Sequence, residues 1–283
     1  NIWANVDAFG TRRPLALQVM SATVSRARDL LKFSAQEFAF DRPVRVDEKQ
    51  LIIGVDTRNY NVYDNFVLIY GVAPAPTDKI LLTIRAGVVV GSASTSQASM
   101  IIDSRMEGTL ELVINGALLG AGGAGGSRLP SYANKDGKAG GVALEVQASG
   151  LAPITIINNG IFAGGGGGGG LGGYDAVNLG NAGGGGMGDI GGAAGDLVVP
   201  DYGFPAQSGT SENRGLGAGI NVPYGAGSNN GGGGGYLGAN GEDGYKYLPT
   251  DPNGVGGAGG KRIDGKANVL YVVGNGLTRE NDI

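Results

Sequence analysis

Glycine governs what this chain can become. It supplies 58 of the 283 residues, about three times its usual share. It is also unevenly placed, with six glycines in residues 1–110 and the other 52 after them. Each glycine held in one conformation costs roughly 0.5–1 kcal/mol relative to alanine, so a tract such as 164–170 stays flexible unless something other than side chains orders it. Three features argue for order: serine is scarce in the tracts, apolar runs recur between them, and 41% of the residues are hydrophobic, enough for a core.

The missing Cβ also supplies a means. In the extended threefold helix of the polyproline II class the backbone makes no internal hydrogen bonds, so its N–H and C=O groups point sideways. With glycine at nearly every position, all three sides can face a neighbouring chain and bond to it. Packed polyglycine II helices are therefore the expected form of the tracts. Collagen is excluded, because no strict three-residue period runs through the chain and the 11 prolines are too few.

The first part reads differently. Residues 26–38 carry Ala27, Leu30, Leu31 and Ala35 near helical spacing, with Phe33 breaking the stripe. Residues 61–70 place Val62, Phe66 and Tyr70 on one face, with Asn59 or Asn61 to cap the start and Gly71 to stop it. Residues 44–55 and 79–91 read as strands, and Ser-rich 92–99 as a loop. Further strand candidates are 109–114, 141–146, 154–157 and 268–273. A weak repeat joins 111–126 to 155–173: strand, Asn-Gly, apolar pair, glycine tract, with Asn275-Gly276 ending a third strand in the same way. The expected fold class is a small mixed α/β base followed by a glycine-rich domain of packed polyglycine II helices with short β-strands. The expected division is 1–43 as an attachment or linker segment, 44–110 as a compact α/β domain and 111–283 as the glycine-rich head.

Composition narrows the chemistry. With no histidine and no cysteine, disulfides, thiolate nucleophiles, Cys/His metal sites and imidazole proton shuttles are unavailable. A net charge of -4 argues against nucleic acid as a partner. Gly254, Gly256 and Gly259 have dinucleotide-motif spacing, and 260–266 has Walker A spacing but ends before Ala267 where Ser or Thr belongs. At this glycine content such matches arise by chance. No calcium-loop pattern occurs, and no cofactor or metal is expected. The chain begins at Asn1, which suggests a processed or trimmed product.

Asn59 to Gly71 (NYNVYDNFVLIYG), the strand ILLTIRAGVVVG with its Ser-rich continuation, and the repeated strand, Asn-Gly and glycine tract together resemble the C-terminal tip region of tailed-phage host-specificity proteins and tail fibres. The glycine-rich part is also similar to the adhesins that cap T-even-type long tail fibres, whose tracts form packed polyglycine helices. The resemblance covers about 44–275. It implies a virion tail tip, acting outside the host cell, that binds a bacterial outer-surface receptor, an outer-membrane protein or a polysaccharide. It further implies other tail or fibre subunits as partners, in a homotrimer or a cap on a trimer, and no enzymatic activity. Two alternatives differ in class. A structural glycine-rich extracellular protein requires near-identical interruptions, whereas these vary in length and content; a polysaccharide-cleaving tip requires paired acids in a cleft.

The interruptions between tracts are where a binding surface is expected, since a scaffold needs connections but no aromatics in them. They carry Arg128 and Tyr132, Tyr174 and Asp175, Tyr202 and Phe204, Tyr224, Tyr236, and Tyr245 and Tyr247. Tyrosine joins rigid apolar area to a hydrogen-bonding tip, as binding loops require. Taken singly, each tyrosine equally suits a covering of the glycine array.

Overall fold

The computed structural model describes residues 2–3, 16–17, 47–127, 134–147, 154–173, 182–196, 205–217, 231–245, 253–265, 269–273 and 277–278. Strands β1 (Ile2–Trp3) and β2 (Ala16–Leu17) form a separate antiparallel pair. The helix expected over 26–38 lies outside the described residues.

From Glu48 onward the chain winds into a parallel, three-sided β-coil. The first turn is β3 (Glu48–Ile53), β4 (Thr57–Arg58) and β5 (Tyr60–Asn61), and the second is β6 (Lys79–Ile84), β7 (Val89–Gly91) and β8 (Met100–Ile102). The third is β9 (Thr109–Ile114), β10 (Ala117–Leu119) and β11 (Leu144–Val146); the fourth is β12 (Ile154–Asn158), β13 (Ile161–Ala163) and β14 (Ile263–Asp264). β15 (Val269–Val273) and β16 (Leu277–Thr278) begin a fifth. Equivalent strands stack into three sheets, ordered β3-β6-β9-β12-β15, β4-β7-β10-β13-β16 and β5-β8-β11-β14.

Register explains why these runs stack. Leu51, Leu82, Leu112 and Ile156 fall opposite one another in the first sheet, Val90, Leu118 and Phe162 in the second, and Met100, Leu144 and Ile263 in the third. All belong to one buried cluster inside the coil. Each fully buried Leu, Ile or Phe contributes about 1.5–3 kcal/mol, and a slip of one residue would turn a whole column outward. The Asn-Gly pairs mark corners between the first and second sheets, where Asn159 Nδ2 donates to Asn115 Oδ1 at 3.0 Å.

The helix expected over 61–70 is present as α1 (Val62–Tyr70). Asn61 caps it, accepting from Asp64 N, and Gly71, at φ 71°, ends it by donating to Val67 O. Its buried residues Val62 and Phe66 pack into the coil's cluster. Tyr70 Oη accepts from Gln50 N at 2.6 Å and donates to Gln50 O at 3.0 Å, which closes part of the open edge of β3.

The expected fold class is corrected on both counts. α1, nine residues long, is the one helix among the described residues, so the first part is a parallel β structure and not a mixed α/β base. Its β-branched runs of matched length favour stacking over helix formation. Nor do the described residues show a domain of polyglycine helices: those of 120–143 and 164–262 form neither helix nor strand beyond an isolated turn at Asn134. Their order lies in hydrogen bonds between segments, and both stretches are inserted between the second and third sheets, in the third and fourth turns of the coil.

Candidate functional site

The inserted glycine segments build a lattice around 164–173. Every third residue of that segment serves the same neighbour. Gly165, Gly168 and Leu171 donate to Gly141, Lys138 and Lys135; Gly166 and Gly169 to Met187 and Gly184; Gly167, Gly170 and Gly173 to Ala239, Glu242 and Tyr245. Its carbonyls accept in the same rhythm from Gly123 and Gly126, from Gly232, Gly235 and Gly238, and from Gly254, Gly257 and Gly260. These bonds measure 2.7–3.0 Å, full hydrogen-bond length. The central segment thus has bonded neighbours on six sides, and backbone takes the place of side chains as core.

The lattice has two distinct ends. At the near end its segments leave the coil directly, since Gly120 follows β10 and Gly164 follows β13, and Gly120 N bonds Ala163 O. Turns at 187–190, 210–213 and 236–239 reverse the chain at this level, shown by Asp189 N bonding Gly120 O and Gly238 N bonding Gly164 O. At the far end, Gly126 N bonds Gly169 O, Ser127 N bonds Asn134 O, Gly183 N bonds Gly126 O, Gly195 N bonds Gly183 O, Gly173 N bonds Tyr245 O and Gly254 N bonds Leu171 O. Ala194 N donates to Ser208 Oγ, which sets the return from 205 beside 190–196. A methyl on Gly217 would lie 2.0 Å from Gly231 O, so those residues meet as well. Every interval of the lattice outside the described residues, namely 128–133, 174–181, 197–204, 218–230 and 246–252, therefore has both flanks at the far end.

Of the ten residues singled out from sequence, Arg128, Tyr132, Tyr174, Asp175, Tyr202, Phe204, Tyr224 and Tyr247 lie in those intervals, outside the described residues. Tyr245 is at the far end and 64% exposed. Tyr236 is at the near end, so the two are not brought together. The Arg214 guanidinium stands 5.0 Å from the centre of the Tyr236 ring, Arg214 pairs with Glu242, and Glu242 Oε2 accepts from Gly233 N at 3.1 Å. The hydrogen bond from Arg214, opposed by partial burial, holds the Glu242 carboxyl below the usual carboxylate range.

Sequence reasoning missed the groups that finish the lattice's flanks. Several amides donate to side-chain oxygens of a neighbouring segment instead of to its carbonyls: Val255 N to Asp136 Oδ1 at 2.8 Å, Gly256 N to Asp243 Oδ1 at 2.8 Å, Gly259 N to Asn240 Oδ1 at 2.9 Å, and Asp196 N to Ser127 Oγ at 3.2 Å. The signal was legible as a short polar residue abutting glycine, as in Asn240-Gly241, Asp243-Gly244 and Asp136-Gly137. The coil's remaining polar knot is structural: Asp103 accepts from Asn61 Nδ2 at 3.1 Å and from Arg105, which also reaches Asp64 at 2.9 Å and stacks on Tyr63.

A β-coil carrying a backbone-bonded lattice, with both flanks of all five lattice intervals at one end, has the build of a display scaffold: a stiff body with its connecting chain based at one tip. Residues 48–279 match the family model of the phage tail fibre adhesin Gp38, and the chain belongs to that family. It is a tail-fibre adhesin, working at the virion tail outside the host cell to recognise a host receptor. The crystal structure of the gp37-gp38 adhesin tip complex of the bacteriophage S16 long tail fibre is similar over 89% of this chain and 90% of that chain, at 18% identity and a TM-score of 0.47. No curated protein matches the chain.

Proposed function

We propose that the adhesin grips its receptor, a bacterial outer-membrane protein or surface polysaccharide, through the five intervals based at the far end of the lattice. The observation that carries this reading is that both flanks of all five meet there. A backbone-bonded base lowers the ordering cost that recognition loops otherwise meet on binding. Their aromatics, Tyr132, Tyr174, Tyr202, Phe204, Tyr224 and Tyr247 with Tyr245 beside them, supply contact area, and Arg128 and Asp175 supply charge.

Residues 1–43 join the tip to other fibre subunits, in a homotrimer or as a cap on a trimer. In support, α1, in the first turn of the coil, bears apolar side chains suited to burial: Leu68 is 80% exposed, with Ile69 and Val72 beside it in sequence. The adhesin binds without cleaving. In support, Asp103, Asp136, Asp189, Glu242 and Asp243 each already accept from a backbone amide or an arginine, a structural use and not that of a free acid–base pair.

The test exchanges 197–204 and 246–252 for those of a relative with another host range, keeping the lattice intact. Host preference is expected to follow the exchanged intervals, read as adsorption to the two hosts. Unchanged preference after both exchanges removes the loop assignment.

A further inference from the structure

Asn115-Gly116, Asn159-Gly160, Asn240-Gly241 and Asn253-Gly254 are the Asn-Gly pairs among the described residues. In three of them the glycine amide is tied. Gly241 N donates to Gly257 O at 2.8 Å, Gly254 N to Leu171 O at 2.8 Å and Gly160 N to Asn158 Oδ1 at 3.2 Å. Gly116 differs. Asn115 N and Ala117 N on either side bond Ile84 O and Val88 O, while Gly116 N meets no acceptor among the described residues. The Asn115 side chain differs as well, since its Oδ1 accepts from Asn159 Nδ2 at 3.0 Å. Asn115 and Gly116 are half-buried at the corner between β9 and β10, whereas Asn240 is exposed.

We infer that Asn115 is a site of spontaneous modification, where the Gly116 amide displaces the side-chain amide and water then leaves aspartate or isoaspartate. Glycine after asparagine favours this, because no Cβ hinders the approach of its nitrogen to Cγ. Gly116 N gives its proton to hydroxide and bonds to Cγ, and the carbonyl electron pair moves onto Oδ1. Asn159 Nδ2 already stands at 3.0 Å from that oxygen, within the range at which a donor steadies an oxyanion. The Cγ–Nδ2 bond breaks, Nδ2 takes a proton from water and leaves as ammonia, and a cyclic imide remains. Water adds to either imide carbonyl and reopens the ring, so amide and water become acid and ammonia. Opening at the main-chain carbonyl gives isoaspartate, which routes the backbone through Cγ and lengthens the corner by a methylene. That corner precedes β10, which stacks between β7 and β13 and leads into the lattice at Gly120. Asn115 thus ages the tip from within, without an enzyme.

The experiment stores the full folded chain at mildly alkaline pH and follows each Asn-Gly pair by peptide mass mapping, with isoaspartate separated from aspartate by chromatography. A second arm stores the chain in denaturant. While folded, Asn115 is expected to convert about tenfold or more faster than Asn240 and Asn253, whose glycine amides must first break free of the lattice. In denaturant the rates should draw level. Exposure alone predicts the reverse order, with Asn240 first. Asn159→Ala and Asn159→Asp both remove the donor, and each should slow Asn115 roughly two- to tenfold, the share of one neutral hydrogen bond. Unfolding would speed the reaction, so slower conversion cannot come from a damaged fold. Conversion of Asn240 or Asn253 ahead of Asn115, or equal rates at all three in the folded chain, overturns the inference. So does an Asn115 still intact long after the denatured chain has converted. Unchanged or faster conversion of Asn115 in both variants overturns the part given to Asn159.

Discussion

A methyl group is the smallest perturbation a residue can suffer, and in the lattice it is a large one. Built on Gly167, a Cβ would sit 1.9 Å from Gly257 O and 2.7 Å from Ala258 O. Both are backbone atoms bonded into neighbouring segments, so no rotamer change relieves the clash. Gly167→Ala is expected to cost about 3 kcal/mol or more, at the upper end for overpacking, and to lower the melting temperature by roughly 6–12 °C at about 2–4 °C per kcal/mol. Gly54→Ala is the matched control. There the nearest atoms are Arg85 Cδ and Nη1 at 3.7 Å, ordinary contact, and calorimetry should find a change of under about 0.5 kcal/mol. Equal melting of the two variants would mean that the tracts are not mutually packed.

At the scale of elements, α1 is held to the coil through Asp103. Its carboxylate accepts from Arg105 N at 2.8 Å, from the Arg105 guanidinium and from Asn61 Nδ2, so one side chain ties the end of β8 to the residue that caps α1. Burial pushes the Asp103 carboxyl up, but the Arg105 bonds outweigh it and hold it below the ordinary value of 3.8. With the folded state binding fewer protons than the unfolded one, this contribution is present above the unfolded value and disappears as pH falls through the depressed folded one. Asp103→Asn is expected to cost about 1–2 kcal/mol at neutral pH, towards the lower part of the range for charged hydrogen bonds because Arg105 faces solvent. It should also flatten the loss of stability in acid, as denaturant melts at several pH values would show. Asn61 and Gly71 made α1 legible from sequence, and the Asn-Gly pairs revealed the third and fourth turns of the coil as a repeat. The first two turns escaped because their corners, Gly54 to Asp56 and Arg85 to Val88, share no such mark, although their strands stack in the same register. The lattice's two ends were illegible for a deeper reason: glycine carries no side-chain pattern to report direction. The near-end turn at Tyr236 and the far-end interval after Tyr245 therefore looked alike.

For the whole molecule to act as one stiff tip, the lattice must not rock on the coil. Among the described residues, two of the contacts that hold it beyond the chain crossings themselves lie at the near-end turns. Leu237, with Met187 against it, packs on Ala117, Leu119 and Ala163, the outward-facing residues of the second sheet whose neighbours Leu118 and Phe162 point into the core. Asp189 provides the other contact: its amide bonds Gly120 O, its Oδ2 accepts from Arg58 Nε at 2.9 Å, and its carboxylate lies directly over the bare face of Gly91. The ion pair and the close approach separate by mutation. Arg58 is half exposed, so Arg58→Ala should remove at most about 1 kcal/mol and leave the turn seated. A methyl on Gly91 would come 1.9 Å from Asp189 Oδ2 and 2.6 Å from its Cβ, which evicts the whole side chain and unseats 187–190 with it. Hydrogen exchange at 187–190 and 120–126 is therefore expected to accelerate in Gly91→Ala and to stay near wild type in Arg58→Ala, with the coil's own strands protected in both. Equal acceleration in the two variants would give the seating of the head to the ion pair instead, and its rigidity would then weaken with salt, which a close contact between backbone and carboxylate does not.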